Sequence, residues 1–262
     1  MTPVLKISQV TMQFGGLRAL DNLEMAVYPR ETVALIGPNG AGKTTLFNCI
    51  TGIYKPTRGD IRLAAANGRT VDIKGLKPND ITAHGIARTF QNIRLFPQMT
   101  VLENVMIGRH CRMKAGIAGA ILRSRRTRLE EEKAVADSYR LLQKFHLERH
   151  VDEFAKNLPY GAQRRLEIAR AMATEPVVLL LDEPAAGMNA HETRELDDLI
   201  VRLRNDEGIA ILLIEHDMRL VMSLSDRIYV VDYGRKIAEG TPDEVSRDPA
   251  VIKAYLGEPA ET

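Results

Sequence analysis

The sequence predicts an α/β fold with a largely parallel β-sheet, because short apolar strands alternate with helical patterns along the chain. Two continuous apolar runs, Val177–Leu181 and Ile209–Ile214, are typical of strands that are covered on both faces. A third apolar run, at 33–36, leads into a glycine-rich loop and then into a helical segment. Strand, loop and helix in this order form the repeating unit of parallel sheets.

An antiparallel sheet is predicted beside this core, because four short strand patterns lie close together near the N-terminus. These patterns span residues 4–10, 23–28, 61–63 and 70–73. The turn residues Phe14-Gly15-Gly16 separate the first two, and Asn67-Gly68 separates the last two. A later pair of strands, at 227–232 and 235–238, surrounds Tyr233-Gly234 and predicts a hairpin.

The middle of the chain is predicted to be helical, since residues 101–156 contain no strand pattern. Glu103–Val105 and Thr127–Phe145 have helical patterns, and the second has one charged face. We therefore expect a single domain in which a helical subdomain interrupts the core. The predicted divisions are core at about 1–95 and 160–250, helical subdomain at about 96–159, and tail at 251–262.

A basic cluster, Arg123–Arg128, precedes three acidic residues at 130–132 in this middle segment. The favoured interpretation is a solvated helix with pairs of opposite charge four residues apart. The alternative is contact with anionic lipid headgroups or with the cytoplasmic face of a membrane partner.

Composition excludes several functional classes. The 262-residue chain has a net charge of only +2, 5% aromatic residues and no Trp, which argues against a nucleic-acid partner. Its two cysteines, Cys49 and Cys111, lack the spacing of metal ligands and fit a reducing compartment. We expect no signal peptide and no membrane-spanning segment, so any work at a membrane requires a partner that holds the chain there.

The loop after the third apolar run fits the phosphate-binding pattern G-x-x-x-x-G-K-[ST]. Its residues are Gly37, Pro38, Asn39, Gly40, Ala41, Gly42, Lys43, Thr44 and Thr45. Glycines let backbone amides approach a triphosphate, and the following helix start adds a positive dipole end. Lys43 would reach the β- and γ-phosphates, and the Thr44 hydroxyl would ligate Mg²⁺. A helix-capping turn would explain the glycines but not the lysine.

Polar side chains follow three of the predicted strands. Asp182 and Glu183 follow the apolar run that begins at Val177. Asp182 would hold Mg²⁺, and Glu183 would orient or deprotonate an attacking water. His216 follows the run at 209–214 and would sense the γ-phosphate. Gln91 follows a strand-like segment and would contact Mg²⁺ or the water. Taken singly, each of these residues would fit an ordinary structural role.

In this order, the motifs resemble those of the ATP-binding subunit of an ABC transporter, over nearly the whole chain. The resemblance implies a P-loop NTPase (RecA-like) core with an antiparallel β subdomain and an inserted helical subdomain. It also implies that Gln91 belongs to the Q-loop, that His216 is the switch histidine and that Phe14 stacks on adenine. For Phe14, a buried strand aromatic is the competing interpretation.

The resemblance further implies that two such subunits enclose two ATP molecules, each between one P-loop and the partner's signature helix. The segment beginning Leu158-Pro159-Tyr160-Gly161 occupies the place of the family's L-S-G-G-Q signature. Pro159 replaces the serine that would bond the γ-phosphate. A hydrogen bond to a charged group contributes roughly 1.5–3 kcal/mol, so this half-site is expected to be weaker.

Several further motifs are similar to those of the hydrophobic amino acid importers. They include Phe14–Leu20, Arg88–Asn92, Arg164–Glu167, Glu215–Met218 and the ending Ala254–Glu258. The resemblance implies ATP hydrolysis with Mg²⁺ that powers uptake of branched-chain or related small solutes. Its implied partners are two transmembrane permeases, a second ATP-binding subunit and, indirectly, an extracytoplasmic binding protein. The expected location is the cytoplasmic face of the inner or plasma membrane.

Three other functions remain open at this point. An exporter ATPase of the same fold, such as that of lipopolysaccharide export, shares the Tyr-Leu-Gly-Glu ending, but its relatives usually keep Ser-Gly-Gly in the signature. Non-transport ABC proteins carry two cassettes or a long coiled coil, which this sequence lacks. A small-molecule kinase would explain the P-loop but neither the signature region nor His216.

Overall fold

The computed structural model describes residues 1–65, 68–112 and 125–256, and it confirms the α/β fold. A six-stranded sheet forms the core and a four-stranded antiparallel sheet lies beside it. The strands are β1 (Leu5–Phe14), β2 (Leu17–Val27), β3 (Thr32–Ile36), β4 (Arg58–Ala64), β5 (Thr70–Asp72), β6 (Ile86–Arg88), β7 (Val178–Asp182), β8 (Ala210–Ile214), β9 (Arg227–Asp232) and β10 (Arg235–Gly240).

Nine helices are assigned in the described part of the chain. They are α1 (Lys43–Ile50), α2 (Pro78–His84), α3 (Val101–His110), α4 (Arg125–Lys144), α5 (Tyr160–Met172), α6 (Ala190–Asp206), α7 (Met218–Leu224), α8 (Pro242–Ser246) and α9 (Pro249–Leu256). None of these helices combines the length and the apolar character needed to cross a bilayer.

The core sheet has the strand order β10-β9-β3-β8-β7-β6, in which all neighbours are parallel except β9 and β10. Its strands are apolar throughout because both faces are covered. In β7, Val178 and Leu180 pack in a cluster with α1, whereas Leu179 and Leu181 pack in a cluster with α5 and α6. The carboxyl ends of the parallel strands consequently meet at one edge.

The first two strands are longer than the sequence pattern predicted. Residues 11–14 and 17–22 were expected to lie outside strands, yet they pair in the β1–β2 hairpin. Gln9 and Asn22 have φ angles of 51° and 54°, and the register shifts between Ile7 and Val10. Such bulges break the alternation of apolar and polar residues, and the pattern therefore ends too early.

The helical segment packs on the core where α3 contacts α5. Thr100 and Glu103 form a capping box at the start of α3, with Thr100 Oγ1 accepting from the Glu103 amide at 3.2 Å. Buried Asn104 donates to the carbonyls of Phe96 and Thr100 at 3.1 and 2.9 Å. These bonds fix the chain where it leaves the core. The predicted division into subdomains agrees with this placement but stays a prediction.

Three sequence predictions fall partly or wholly outside the described residues. They concern Asn67 in the turn before β5, the Arg123–Arg128 cluster and the tail beyond Leu256. Of the side chains in the cluster, the structure describes only that of Arg128.

Gly108 of α3 gives a prediction on stability. A Cβ at this position would lie 2.3 Å from the Arg170 carbonyl oxygen and 2.9 Å from the Ala173 Cβ. Alanine stabilises an isolated helix by about 1 kcal/mol relative to glycine, but overpacking in a folded protein costs about 1–3 kcal/mol of stability. Gly108→Ala is therefore expected to lower the free energy of unfolding, measured by urea denaturation.

The matched control is Gly16→Ala, because no heavy atom lies within 4 Å of a Cβ there. It should change the free energy of unfolding by less than about 0.5 kcal/mol. An unchanged or increased stability of Gly108→Ala would contradict the close packing of α3 on α5.

Candidate functional site

The predicted P-loop connects β3 to α1 at the carboxyl edge of the core sheet. Gly37 follows β3, and a Cβ there would lie 2.0 Å from the Val231 carbonyl oxygen of β9. Gly42 has φ = 105° and precedes α1 as its N-cap, and a Cβ there would lie 2.6 Å from the Ala19 carbonyl oxygen. The loop can therefore take this path only with glycine at both positions.

Lys43, the first residue of α1, is only 7% exposed and points back into the loop. Its Nζ donates to the carbonyls of Gly37 and Pro38 at 2.6 and 2.9 Å. Burial lowers the pKa of Lys43, and the nearby carboxylates of Glu183 and Asp182 oppose that shift. The ammonium thus lies where a phosphate group cradled by the loop would meet it.

Asp182 is the last residue of β7 and is held by a buried ion pair. Its Oδ2 accepts from the Arg88 guanidinium of β6 at 2.7 Å, and both side chains are less than a tenth exposed. Arg88 also donates to Asn48 of α1 at 2.7 Å. These contacts connect three elements around the P-loop. The sequence reasoning did not identify Arg88 or Asn48, although Arg88 ends a strand beside Gln91.

Glu183 lies at the centre of the predicted polar cluster. Its Oε2 accepts from Gln91 Nε2 at 2.6 Å, and its Oε1 lies 2.9 Å from His216 Nε2. The Glu183 amide donates to the Ile214 carbonyl of β8 at 2.8 Å, and the residue has φ = 48°. The structure therefore brings together the three residues that the sequence assigned to catalysis.

The remaining residues of the loop surround Lys43. Thr44 is exposed at the start of α1, and Thr45 is half-buried one residue later. Asn39 and Gly40 are exposed at the tip, whereas Ala41 is buried and accepts from the Gly234 amide at 2.9 Å. A Cβ on Gly40 would meet nothing within 4 Å, so the loop is open on that side.

Three side chains near the P-loop carry oxygen atoms of the kind that Mg²⁺ binds. Thr44 in the first turn of α1 offers a hydroxyl, Asp182 at the end of β7 a carboxylate, and Gln91 after β6 an amide. No group of three or more His, Cys, Asp or Glu side chains among residues 1–65, 68–112 and 125–256 is arranged to hold a metal by itself. Mg²⁺ is commonly held by one or two protein oxygens together with substrate phosphates.

Phe14 lies at the end of β1 and is 41% exposed, which corrects the alternative of a buried strand aromatic. Its ring packs edge-on against Tyr54, with centroids 5.2 Å apart. The exposed part of the Phe14 side chain is therefore accessible to a ligand. Whether adenine takes this place stays a prediction.

The signature region forms the start of α5. Pro159 is the N-cap, and Tyr160 and Gly161 are the first two helical residues. Tyr160 Oη donates to the Ala186 carbonyl in the loop after β7 at 2.9 Å. A Cβ on Gly161 would lie 2.6 Å from Glu192 Oε1 of α6. Tyr160 is 41% exposed, so this helix end remains partly open to a partner.

Three further buried polar residues support the site, and the sequence did not predict this role for them. Glu215 accepts from the amides of Ala185 and His216 at 2.9 and 3.0 Å, and so links the two loops beside Glu183. Arg164 and Glu167 of α5 are almost fully buried. Their spacing of three residues on a helix was a usable signal for an ion pair.

Comparison with known proteins agrees with this geometry. A family model described as "ABC transporter" matches residues 20–186, and one described as "Branched-chain amino acid ATP-binding cassette transporter" matches residues 235–261. The high-affinity branched-chain amino acid transport ATP-binding protein LivG of Escherichia coli (strain K12) is 50% identical over 98% of both chains. The corresponding protein BraF of Pseudomonas aeruginosa is 46% identical over the same shares.

Solved structures give the same result. The ADP conformation of MJ1267, an ATP-binding cassette of an ABC transporter, has a TM-score of 0.83 and 31% identity, covering 98% of this chain and 100% of that one. A nucleotide-free cassette from an ABC transporter gives the same values. The predicted resemblance is confirmed: the chain belongs to the ABC transporter family, as an ATP-hydrolysing, ATP-binding subunit of its branched-chain amino acid branch.

Proposed function

We propose that this chain hydrolyses MgATP to power the import of branched-chain amino acids. The observation that carries the proposal is the Glu183 carboxylate, which is bonded to Gln91 and His216 beside the P-loop lysine. The similarity to LivG and BraF supports the solute class and favours import over the export alternative. The signature region and His216 argue against a small-molecule kinase.

Phosphate binding is assigned to the P-loop and the start of α1. The amides of residues 37–45 and the Lys43 ammonium would neutralise the β- and γ-phosphates. Lys43 would exchange its bonds to the Gly37 and Pro38 carbonyls for bonds to phosphate oxygens. Mg²⁺, held by Thr44, Asp182 and Gln91, would supply further neutralisation of the charge that develops on the phosphates.

Glu183 is assigned the role of orienting the attacking water and accepting its proton. Its two oxygens already bond to Gln91 and His216, so the carboxylate has one defined orientation. His216 is about half exposed and would exchange this bond for one to the γ-phosphate. Gln91 would similarly turn towards Mg²⁺, which frees Glu183 to bind the water.

The working assembly is proposed to contain this chain, a second ATP-binding subunit and two membrane permeases, with an extracytoplasmic binding protein delivering the solute. Pro159, Tyr160 and Gly161 would cover the ATP held by the second subunit, using backbone amides at the start of α5. Attachment to the permeases would place the chain at the cytoplasmic face of the membrane.

The permease contact is assigned to the segment after Gln91. Leu95 packs against the core cluster that includes α5, whereas Phe96 is 46% exposed. The Phe96 ring lies 5.6 Å from the Arg170 guanidinium, and the backbone of Phe96 is bonded to Asn104. Leu95 therefore serves internal packing, whereas Phe96 is available to a short permease helix.

Lys43→Ala tests nucleotide binding. The variant removes the only P-loop side chain assigned to the phosphates, so affinity for MgATP, measured by isothermal titration, should fall about tenfold or more. Lys156→Ala, which removes a surface lysine bonded to Gln98, serves as the control and should bind like the parent. Equal affinity of Lys43→Ala and parent would refute the site assignment.

Glu183→Gln tests the catalytic assignment. The amide keeps the shape but is a poor base, so kcat should fall about a hundredfold or more while MgATP affinity is retained. The closed dimer should then accumulate with ATP and be visible by size-exclusion chromatography of the assembled ATP-binding subunits. The control is Glu153→Gln at the surface pair with His150. Retained turnover in Glu183→Gln would remove Glu183 from its proposed role.

Phe96→Ala tests coupling in the complex reconstituted with permeases in proteoliposomes. Loss of an exposed ring at the proposed contact should reduce leucine uptake about tenfold, a typical effect of removing an aromatic anchor. Basal ATP hydrolysis by the chain alone should stay near the parental rate. Tyr139→Ala, at an equally exposed ring on α4, is the control. A parallel loss of uptake and hydrolysis would contradict the assignment.

Membrane sedimentation distinguishes a transporter subunit from other ATPases. The chain should sediment with membranes only when the permeases are co-expressed, since it has no membrane-crossing helix of its own in its described part. Sedimentation without permeases would contradict attachment through a partner.

A further inference from the structure

Three polar residues occupy one face of α5, although that face is largely buried. Tyr160, Arg164 and Glu167 are spaced i, i+4 and i+7, which aligns them along one side of a helix. Arg164 is 0% exposed and Glu167 is 1% exposed. Neither residue enters the mechanism above.

The Arg164 guanidinium binds the segment that carries Gln91. Its Nη1 donates to the Phe90 carbonyl at 2.6 Å, and its Nη2 donates to the Gln91 carbonyl at 2.8 Å. Glu167 completes the contact, because its Oε2 accepts from Arg164 at 3.0 Å and its Oε1 accepts from the Arg94 amide at 3.0 Å. Two side chains of α5 therefore hold the main chain on both sides of Gln91.

Tyr160 extends the same face to the loop that carries Glu183. Its hydroxyl donates to the Ala186 carbonyl at 2.9 Å and accepts from Arg164 Nη2 at 3.3 Å. The Tyr160 ring closes on Gly187, where a Cβ would lie 3.3 Å from the ring. The two loops that supply the 2.6 Å Gln91–Glu183 bond are thus attached to one helix face.

Stability alone does not explain a buried ion pair at this position. Desolvation of two charges often cancels their attraction, and a well-packed apolar pair is commonly as stable or more so. Burial raises the pKa of Glu167, against the bonds from the Arg94 amide and Arg164. The pair nevertheless directs three of its hydrogen bonds away from α5, to the backbone of Phe90, Gln91 and Arg94.

We propose that Arg164, together with Glu167 and Tyr160, forms a clamp that holds the main chain at Gln91 beside the Glu183 loop, so that the Gln91 side chain can turn from Glu183 to Mg²⁺, and that couples both loops to the orientation of the signature helix. This inference rests on the proposed ATPase function and deepens it. When the N-terminus of α5 meets the ATP of a second subunit, a rotation of the helix would move both loops together. The three residues are positioning residues, since they act on the reaction through Gln91 and Glu183.

The test uses the full chain and the double variant Arg164→Met/Glu167→Met. Removing both charges together avoids leaving either member of the Arg164–Glu167 pair buried alone. The thermal transition should therefore fall less than in either single variant, although Arg170 also loses the nearby Glu167 carboxylate. Amide hydrogen exchange in residues 89–95 should rise about tenfold or more, while exchange in α1 (Lys43–Ile50) should not change.

The kinetic measurement is steady-state ATP hydrolysis by the same variants. The double variant should lose about tenfold to a hundredfold in kcat, with little change in KM, because phosphate binding is intact while the water-orienting geometry is loosened. Arg165→Met, the same substitution one residue further, removes a partly exposed pair with Glu195 of α6 that contacts neither loop, and it should match the parent in both measurements.

Tyr160→Phe provides a variant that keeps the ring and the fold. It removes only the hydroxyl bonds to Ala186 and Arg164, so exchange should rise in residues 185–188 and kcat should fall about threefold to tenfold. This variant keeps the proposal testable even where the double variant does not fold.

The results that overturn the clamp differ from those that overturn the proposed function. If the double variant or Tyr160→Phe kept the parental kcat, the three residues would have a role in packing only. Unchanged exchange at residues 89–95 in the double variant would do the same. Absence of MgATP hydrolysis in the parent chain assembled with its second ATP-binding subunit and the permeases would instead refute the proposed function, and the exchange measurements would still decide whether α5 holds the loops.

Discussion

The arrangement of the candidate site depends on the parallel register of β7 and β8. Asp182 pairs with Ile214 in that register, so Glu183 and Glu215 leave the sheet side by side. The Glu183 amide then bonds to the Ile214 carbonyl, which holds Glu183 at a φ of 48°. A residue other than glycine rarely adopts this backbone conformation without such a constraint. It turns the carboxylate out of the strand direction and towards Gln91 and His216.

Each charged group of the site is hydrogen-bonded within the folded chain before any ligand is considered. Lys43 bonds to carbonyl oxygens, Arg88 neutralises Asp182, and Glu183 is shared between an amide and an imidazole. A buried charge without a partner would be costly, so these contacts keep the site stable on its own. Binding of a triphosphate would then replace existing hydrogen bonds of these side chains. Each replacement would move the side chain that exchanges its partner.

The sequence predicted the parts of the site that depend on local pattern. The P-loop, Glu183 and His216 follow apolar strands, and that order alone placed them at one sheet edge. The sequence did not predict Arg88 or Arg164, because their partners are 94 and 73 residues away in the chain. Strand ends in β1 and β2 were also missed, since bulges at Gln9 and Asn22 interrupt the alternation on which strand prediction depends.

The carbonyl of Ala19 in β2 lies against two glycines, Gly42 at the P-loop and Gly234 in the β9–β10 turn, each with space for no side chain. The N-terminal sheet is therefore locked to the phosphate-binding half of the core by backbone packing, which deforms little. Relative motion between those two parts would open a gap that nothing fills. Conformational change on nucleotide turnover is accordingly expected on the opposite side, where polar side chains of α5 reach the Gln91 and Glu183 loops through hydrogen bonds that can be exchanged.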